Sequence, residues 1–418
     1  MSKFIIQGGE RLRGDVEVSG MKNAALPIIA ATLLTTEECI IDNVPQITDV
    51  RKMLEILESL GARAEWTDDH QVTISTQNAN LGKIEQEKVK SMRASVLLLG
   101  PLLARFREVR IYEPGGCIIG KRPLDTHIHA LRSLGAMVEP LDEEYHLKAN
   151  GLKGTEIVLP EFSVTATENA VMAAVLAEGV TIIKLAAGEP HVQDLIKFLN
   201  SMGAKIDGAG THTLRIEGVK ELKGAKHKLI PDQIEIGTWA VAGAVTGGKI
   251  NIHPIVPEHL DMVMLKFNEI GINAEIEGDS LKIRPSSNLK AFKLQSMPYP
   301  GFPTDLEAPF GLLATQCKGT SLLHDPLFES RMGYVNELIK MGANATICDP
   351  HRVLVTGPTP LYAREIRSYD LRAGATLLIA GLIAEGETVI NEAEVVDRGY
   401  ENIDERLGSL GAKFKRAE

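Results

Sequence analysis

The sequence predicts an α/β protein of two domains, each holding three copies of one helix-and-strand unit. Three observations carry that reading. A helix ending in Leu-x-x-Leu-Gly-Ala or a relative of it recurs six times, as LESLGA, LRSLGA, LNSMGA, FNEIGI, LIKMGA and LGSLGA. Its glycines are Gly61, Gly135, Gly203, Gly271, Gly342 and Gly411, spaced by 74, 68, 68, 71 and 69 residues. A second landmark keeps the same period: an apolar helix, a tight turn, then a β-rich strand centred near Ile41, Ile111, Ile182, Ile252, Leu322 or Ile390. The third observation is a difference in character between the two helices of each unit. The first is apolar on nearly all faces (ASVLLLGPLLA, TWAVAGAVTGG), whereas the second is amphipathic (VRKMLEILESLG, VQDLIKFLNSMG).

Each element follows from these patterns. A helix with no polar face belongs inside a domain, and one with a single apolar stripe lies outside with its other face in water. Glycine is the usual residue just past a helix end, where the backbone turns left-handed. The alternating segments after each glycine, such as ARAEW, AKIDG, NATIC and AKFKR, read as strands. Units of about 70 residues therefore run helix, strand, loop, helix, strand and further strands. Three repeats around a buried trio of helices make a domain of ordinary size, so 418 residues give two. The polar stretch GVKELKGAKHKLIPDQ is the natural junction between the third and fourth repeats.

Composition narrows the functional classes. The chain is 44% hydrophobic and 24% charged with a formal net charge of −10, which argues against bulk nucleic-acid binding. No apolar run reaches the roughly 18 residues needed to span a bilayer, and the N-terminus lacks a secretory apolar core. Cys39, Cys117, Cys317 and Cys348 are far apart, with neither metal-ligand spacing nor a disulfide framework. A reducing cytoplasm is the expected setting. His127 and His129 lie two apart on a helix, which is no metal spacing, and are expected to be surface residues.

Unusual polar residues gather at matching places in the repeats. Just before the first helix come Lys22-Asn23, Arg93, Ser163-Val164-Thr165, Asp232-Gln233, Thr304-Asp305 and Asp370-Leu371-Arg372. Helix N-termini favour anions through their free N–H groups. After the second landmark strand come the residues up to Arg122, Arg331, and Asp397-Arg398. If these ends face one another, Lys22, Arg93, Arg122, Arg331, Arg372 and Arg398 form a cationic nest for an anionic substrate. The loop Glu113–Pro123 stands beside this set. Gly115, Gly116 and Gly120 flank Cys117, and Lys121 and Arg122 are the kind of neighbours that raise a thiolate fraction.

With Lys22-Asn23, the Pro-Gly-Gly-Cys loop, Gly-Phe-Pro-Thr-Asp at 301–305, Asp-Leu-Arg-Ala at 370–373 and Asp-Arg-Gly-Tyr at 397–400 in view, the chain resembles the enolpyruvyl transferase family. Its motifs are most similar to those of the UDP-N-acetylglucosamine 1-carboxyvinyltransferases, which open peptidoglycan synthesis. The resemblance covers essentially the whole length. It implies two inside-out α/β barrels of βαβαββ-type units, one over 22–229 and the other over 1–21 with 230–418, closing on substrate. It implies transfer of the enolpyruvyl group of phosphoenolpyruvate to the 3′-hydroxyl of the UDP-sugar, with no metal or organic cofactor.

The resemblance also assigns roles. Lys22, Asn23, Arg122, Arg331, Arg372 and Arg398 correspond to contacts to phosphoenolpyruvate or to the groups that hold the closed site. Arg93, Arg122, Pro123, Leu124, Asp125, Thr126, Ser163, Val164, Asp305 and Leu327 correspond to contacts to the UDP-sugar. Cys117, Asp305 and Lys22 are the implied catalytic residues. Cys117 would donate a proton to C3, add covalently to phosphoenolpyruvate and be the target of fosfomycin, while Asp305 would relieve the sugar hydroxyl of its proton. The chain departs from the family pattern at Thr165 (commonly Gly), Gln233 (usually Arg), Leu97 (Trp in some members) and Ser330 (Asn). Competing readings are the sister 3-phosphoshikimate 1-carboxyvinyltransferase and a non-catalytic UDP-sugar-binding paralogue.

Overall fold

The computed structural model describes residues 2–83, 85–112, 115, 120, 122–141 and 144–417. Cys117 and most of its loop lie outside the described residues. The chain passes between two compact units at 19/20 and at 230/231, and of the described residues between those points Gly120 alone groups with the unit of residues 2–19 and 231–417.

In the unit built from residues 20–230, the core is a trio of helices, Lys22–Ala31, Leu99–Phe106 and Val164–Ala174, rich in Ala, Leu and Val and buried along most of their length. Gly100 brings two of them together: a Cβ there would meet the Asn169 carbonyl oxygen at 2.4 Å. Asn169 then spans the gap, its Oδ1 accepting from Gly100 N at 2.6 Å and its Nδ2 donating to Val96 O at 2.9 Å. Three sheets carry one face inward. Lys226–Lys228 lies parallel to Cys39–Asp42, which pairs antiparallel with Gln71–Ser75, itself paired with Arg63–Asp68. The third repeat repeats this order with Glu156–Val158, Val180–Lys184, Thr213–Glu217 and Lys205–Asp207. The second repeat shows three strands among the described residues, Glu108–Tyr112, Glu144–Lys148 and Met137–Leu141. Where the parallel strand would enter, the chain forms a 3₁₀ turn at Leu81–Lys83 and a short helix at Gln86–Lys90.

The unit built from residues 2–19 and 231–417 has the core helices Gln233–Val245, Glu307–Ala314 and Leu371–Ile383. Phe310 lies at the centre of an aromatic group, with ring centroids 5.5 Å from Phe267, 4.8 Å from Phe302 and 6.1 Å from Phe292. The N-terminal segment completes two of its sheets. Arg13–Glu17 runs parallel to Lys249–His253, and Lys3–Gln7 sits between Glu387–Asn391 and Lys413–Ala417, antiparallel to both. With helices inside and sheets outside, the architecture is the inside-out α/β barrel. All six expected landmark strands are present, each containing its landmark residue.

The six glycines stop the six second helices as expected, with φ between +89° and +104°. The next backbone N–H reaches back five residues each time, as in Ala62 to Leu57 at 3.1 Å, Ala204 to Leu199 at 3.0 Å and Ala412 to Leu407 at 3.0 Å. This capping satisfies a carbonyl that the helix end leaves open. Gly203→Ala tests it cleanly, because nothing lies within 4 Å of the added methyl and only the left-handed backbone is strained. It should cost about 1–2 kcal/mol in urea unfolding with an unchanged m-value. Gly311→Ala, whose methyl would fall 1.9 Å from the Tyr334 hydroxyl, should cost more through forced repacking.

Candidate active site

The N-termini of the core helices are where the apolar pattern breaks, and there the candidate residues stand. Capping explains part of the composition: an oxygen one residue before a helix accepts from the first free N–H groups. Asp370 Oδ1 accepts from Arg372 N at 2.8 Å and Ala373 N at 3.0 Å, and Asp232 Oδ1 accepts from Ile234 N at 2.8 Å. Ser163 caps its helix more loosely, accepting from Ala166 N at 3.4 Å.

In the unit built from residues 2–19 and 231–417, the fold brings Asp305, Arg331 and Arg372 together from three segments. Arg331 Nη2 donates to Asp305 Oδ1, and Arg372 Nε donates to Asp305 Oδ2 at 3.2 Å. Both arginines are buried. Arg331 Nε also donates to Thr304 Oγ1 at 3.3 Å, and Thr304 in turn donates to Asp325. Arg372 Nη2 lies 3.7 Å from Asp232 Oδ2, and its guanidinium carbon sits 5.2 Å from the centroid of the Tyr400 ring. The Tyr400 hydroxyl is 3.0 Å from Thr238 Oγ1. Arg372 Nη1 is buried with no hydrogen-bond partner among the described residues. Burial alone would push the Asp305 carboxyl up, but the charges of Arg331 and Arg372 override it and hold the group well below the usual carboxylate range. Asp232 is pushed up, by burial foremost. Leu327 is exposed, its N–H held by Asp325 Oδ1 at 2.9 Å. Arg398 is half-buried at the end of the 3₁₀ helix Ala393–Arg398.

In the unit built from residues 20–230, Lys22 opens its core helix and is buried with Asp49, Nζ to Oδ2 at 2.7 Å. Asn23 follows, partly exposed. Arg93 begins a 3₁₀ lead-in and its guanidinium donates to the Arg122 carbonyl. Past exposed Pro123 and buried Leu124, the helix Asp125–Ser133 begins. Thr126 Oγ1 donates to Glu161 Oε1 at 2.9 Å, and His127 Nε2 is 2.9 Å from Thr165 Oγ1. Arg93, the 122–127 segment and Ser163-Val164-Thr165 are thus linked through these contacts. The expectation for His127 is corrected: it is buried, and burial together with the Arg93 charge pushes it down to about 3, so it is neutral. His129 is exposed as expected, its ring nitrogen 3.2 Å from Val158 O. The departure at Thr165 has a local account, since its hydroxyl partners that neutral ring.

Four groups escaped the sequence reading: Asp49, Asp325, and the buried pair Glu307 and Tyr334. A carboxylate in the first turn of the second helix (Asp49) and one just past the landmark strand (Asp325) were findable by extending the repeat comparison. Of the other cysteines, Cys39 and Cys317 are buried and their thiols are pushed up to about 11 and about 12 by burial, which leaves them unreactive. Cys348 is exposed.

Comparison with known proteins gives the chain's family. Residues 6–407 match the family described as EPSP synthase (3-phosphoshikimate 1-carboxyvinyltransferase). The enolpyruvyl transferase NikO from Streptomyces tendae superposes with a TM-score of 0.91 at 25% identity, covering 100% of this chain and 99% of that one. EPSP synthase from Acinetobacter baumannii gives 0.75 at 20% identity over 100% of both chains, a likeness of fold. At the sequence level the chain is 46% identical to the UDP-N-acetylglucosamine 1-carboxyvinyltransferase of Koribacter versatilis, over 100% of this chain and 96% of the relative. It is 44% identical to that of Treponema denticola over 100% of both. The chain belongs to the enolpyruvyl transferases, in the family of the UDP-N-acetylglucosamine 1-carboxyvinyltransferases.

Glu307 supplies a test of the buried charges. Tyr334 Oη donates to its Oε1 at 2.8 Å, while Oε2 is buried without a partner among the described residues. Burial raises the carboxyl from an ordinary 4.5 to about 8. A folded-state value above the unfolded one means that the folded protein holds the extra proton. That stabilisation is complete below pH 4.5 and is lost as pH rises through 8. Glu307→Gln, which mimics the protonated group, should gain on the parent by up to roughly 1.4 kcal/mol per pH unit across that window. Urea unfolding from pH 5 to pH 9 measures it, and a difference that does not change with pH would mean that Glu307 titrates normally.

Proposed function

We propose that this chain transfers the enolpyruvyl group of phosphoenolpyruvate to the 3′-hydroxyl of UDP-N-acetylglucosamine and releases phosphate. The observation that carries the reading is the Asp305, Arg331 and Arg372 group, set in a chain with full-length likeness to enzymes of that name. It offers a carboxylate that can accept a hydroxyl proton. Beside it are two guanidiniums shaped to grip phosphate and carboxylate in bidentate fashion.

The chemistry follows in order. Cys117 delivers a proton to C3 of phosphoenolpyruvate, and positive character develops at C2. Asp305 takes the proton of the sugar 3′-hydroxyl as its oxygen bonds to C2, giving a tetrahedral intermediate that still bears phosphate. Loss of a C3 proton and of phosphate leaves the enolpyruvyl ether. Lys22, Asn23, Arg122, Arg331, Arg372 and Arg398 bind the phosphoenolpyruvate anion and stabilise the charge that shifts onto its phosphate. Arg93, the 122–126 segment, Ser163, Val164 and Leu327 hold the UDP-sugar. Thr165, through His127, ties the start of the helix Val164–Ala174 to the helix Asp125–Ser133.

Phosphate release from phosphoenolpyruvate, with UDP-N-acetylglucosamine compared against shikimate 3-phosphate, tests the reading. Turnover with the UDP-sugar and none with shikimate 3-phosphate is expected, and the reverse would overturn it. Asp305→Asn and Cys117→Ser should each lose roughly 10²–10⁴ in turnover, the worth of a positioned base or acid. Cys117→Asp should stay active with its pH optimum moved down and resist alkylation by fosfomycin, because a carboxyl in an enclosed site still donates a proton.

A further inference from the structure

We propose that Arg331 and Arg372 keep Asp305 idle as a base until the phosphate-and-carboxylate donor takes over their guanidinium contacts. This rests on the assignment of Asp305 as the proton acceptor and adds a condition on when it can act. The geometry is a clamp. Each carboxylate oxygen of Asp305 carries one arginine, Arg331 Nη2 on Oδ1 and Arg372 Nε on Oδ2. A carboxylate gripped on both oxygens by cations is a poor acceptor for a sugar hydroxyl, for two reasons. Taking up a proton would leave two buried guanidiniums undercompensated. The lone pairs that would receive the proton are also already engaged.

Both arginines have the means to change partners. Arg331 has a second anchor on Thr304, so it need not leave the site when it lets go of Asp305. Arg372 is steadied by Asp232 and by the Tyr400 ring, and its buried Nη1 has no hydrogen-bond partner among the described residues. A buried guanidinium nitrogen without an acceptor is a place for an anion to bind at little reorganisation. The other titratable groups around the cluster are Asp325 and Asp370 on the Arg331 side, Asp232 and Tyr400 on the Arg372 side, and Glu307 two residues on from Asp305. Burial favours the neutral form of Glu307 at pH 7, so it does not compete for the arginines.

Arrival of a phosphate-and-carboxylate donor would act on Asp305 in two ways of the same sign. Each guanidinium that turns towards the donor removes a stabilising cation from the carboxylate. The donor's own negative charge, brought close, disfavours a second anion beside it. Asp305 then becomes able to accept the hydroxyl proton when the donor is present. The acceptor sugar alone, with its hydroxyl uncharged, leaves the clamp shut.

Carbon-13 NMR of protein labelled at the aspartate carboxyl carbons reads this directly, with Asp305 identified as the signal missing from Asp305→Asn. Three samples are titrated with acid: protein alone, protein with UDP-N-acetylglucosamine, and protein with phosphoenolpyruvate in the Cys117→Ser background, which prevents covalent addition. A fourth contains millimolar inorganic phosphate as the bare anion. In protein alone and with the sugar nucleotide, the signal should stay ionised to the acid limit of the fold. With phosphoenolpyruvate its midpoint should rise by at least about one pH unit, the usual effect of losing one close opposite charge. Identical titrations with and without phosphoenolpyruvate would overturn the proposal, and a rise with inorganic phosphate would show that the anion suffices. Arg331→Gln should raise the midpoint of the free protein by a similar amount and shrink the further rise, with Arg372→Lys as the second variant if that protein does not fold. Failure here is separable from failure of the base assignment. An Asp305→Asn enzyme with parental turnover removes the base, whereas an inactive one whose parent shows an immobile signal removes only the clamp.

Discussion

Six helices that cannot show any face to water set the terms for this structure. Ala, Leu, Val and Gly surround them, so each must be enclosed on every side, and three sheets around three helices provide the enclosure in either unit. Their middles cannot bear polar chemistry without a partner for each polar atom. Their first turns can, because free N–H groups there want oxygen atoms in any case. The candidate residues collect at those ends for that reason, with Asp232 and Asp370 serving first as caps and then as neighbours of Arg372 and Arg331.

The buried charges at these ends are mutually dependent. Arg331 and Arg372 are buried guanidiniums, tolerable only beside Asp305, Asp232 and the more distant Asp370 and Asp325. Breaking such a set by removing one member typically costs about 3–5 kcal/mol, because its partner is left charged and unpaired. The Nη1 of Arg372, buried with no hydrogen-bond partner among the described residues, adds to that cost.

Much of the fold was legible because it is written six times. The glycines at helix ends fall at equal spacing because each must adopt a left-handed backbone, and only glycine does so without strain. Arg331, Arg372 and Asp305 were legible as members of repeat positions, but their pairing was not. Asp305 and Arg372 are 67 residues apart, and only the closing of the barrel brings them within a hydrogen bond. Glu307 and Tyr334 escaped for a similar reason: a Glu at the start of a helix reads as a cap, and its burial against a tyrosine depends on packing around Gly311. His127 was misread because alternation along a helix says which side a residue is on, not how tightly that side is covered by the next repeat's Thr165. That the second repeat shows only three strands among the described residues was not foreseen, since the landmarks place helices and the strands after them but not the strand before.

The strand Lys3–Gln7 lies in the middle of the sixth sheet, with Lys3 opposite both Asn391 and Ala417. Every other sheet takes its central antiparallel pair from its own repeat, and only edge strands reach further, Lys226–Lys228 to Cys39–Asp42 and Arg13–Glu17 to Lys249–His253. The sixth joins Lys3–Gln7 at its centre to segments that begin only at Glu387 and Lys413. Residues 20–230 can complete their core while the rest is still being made. Lys3–Gln7 must instead remain unpaired until residues 387–417 leave the exit tunnel. Its alternation of buried Phe4 and Ile6 with less buried neighbours makes it an exposed, sticky edge throughout that wait.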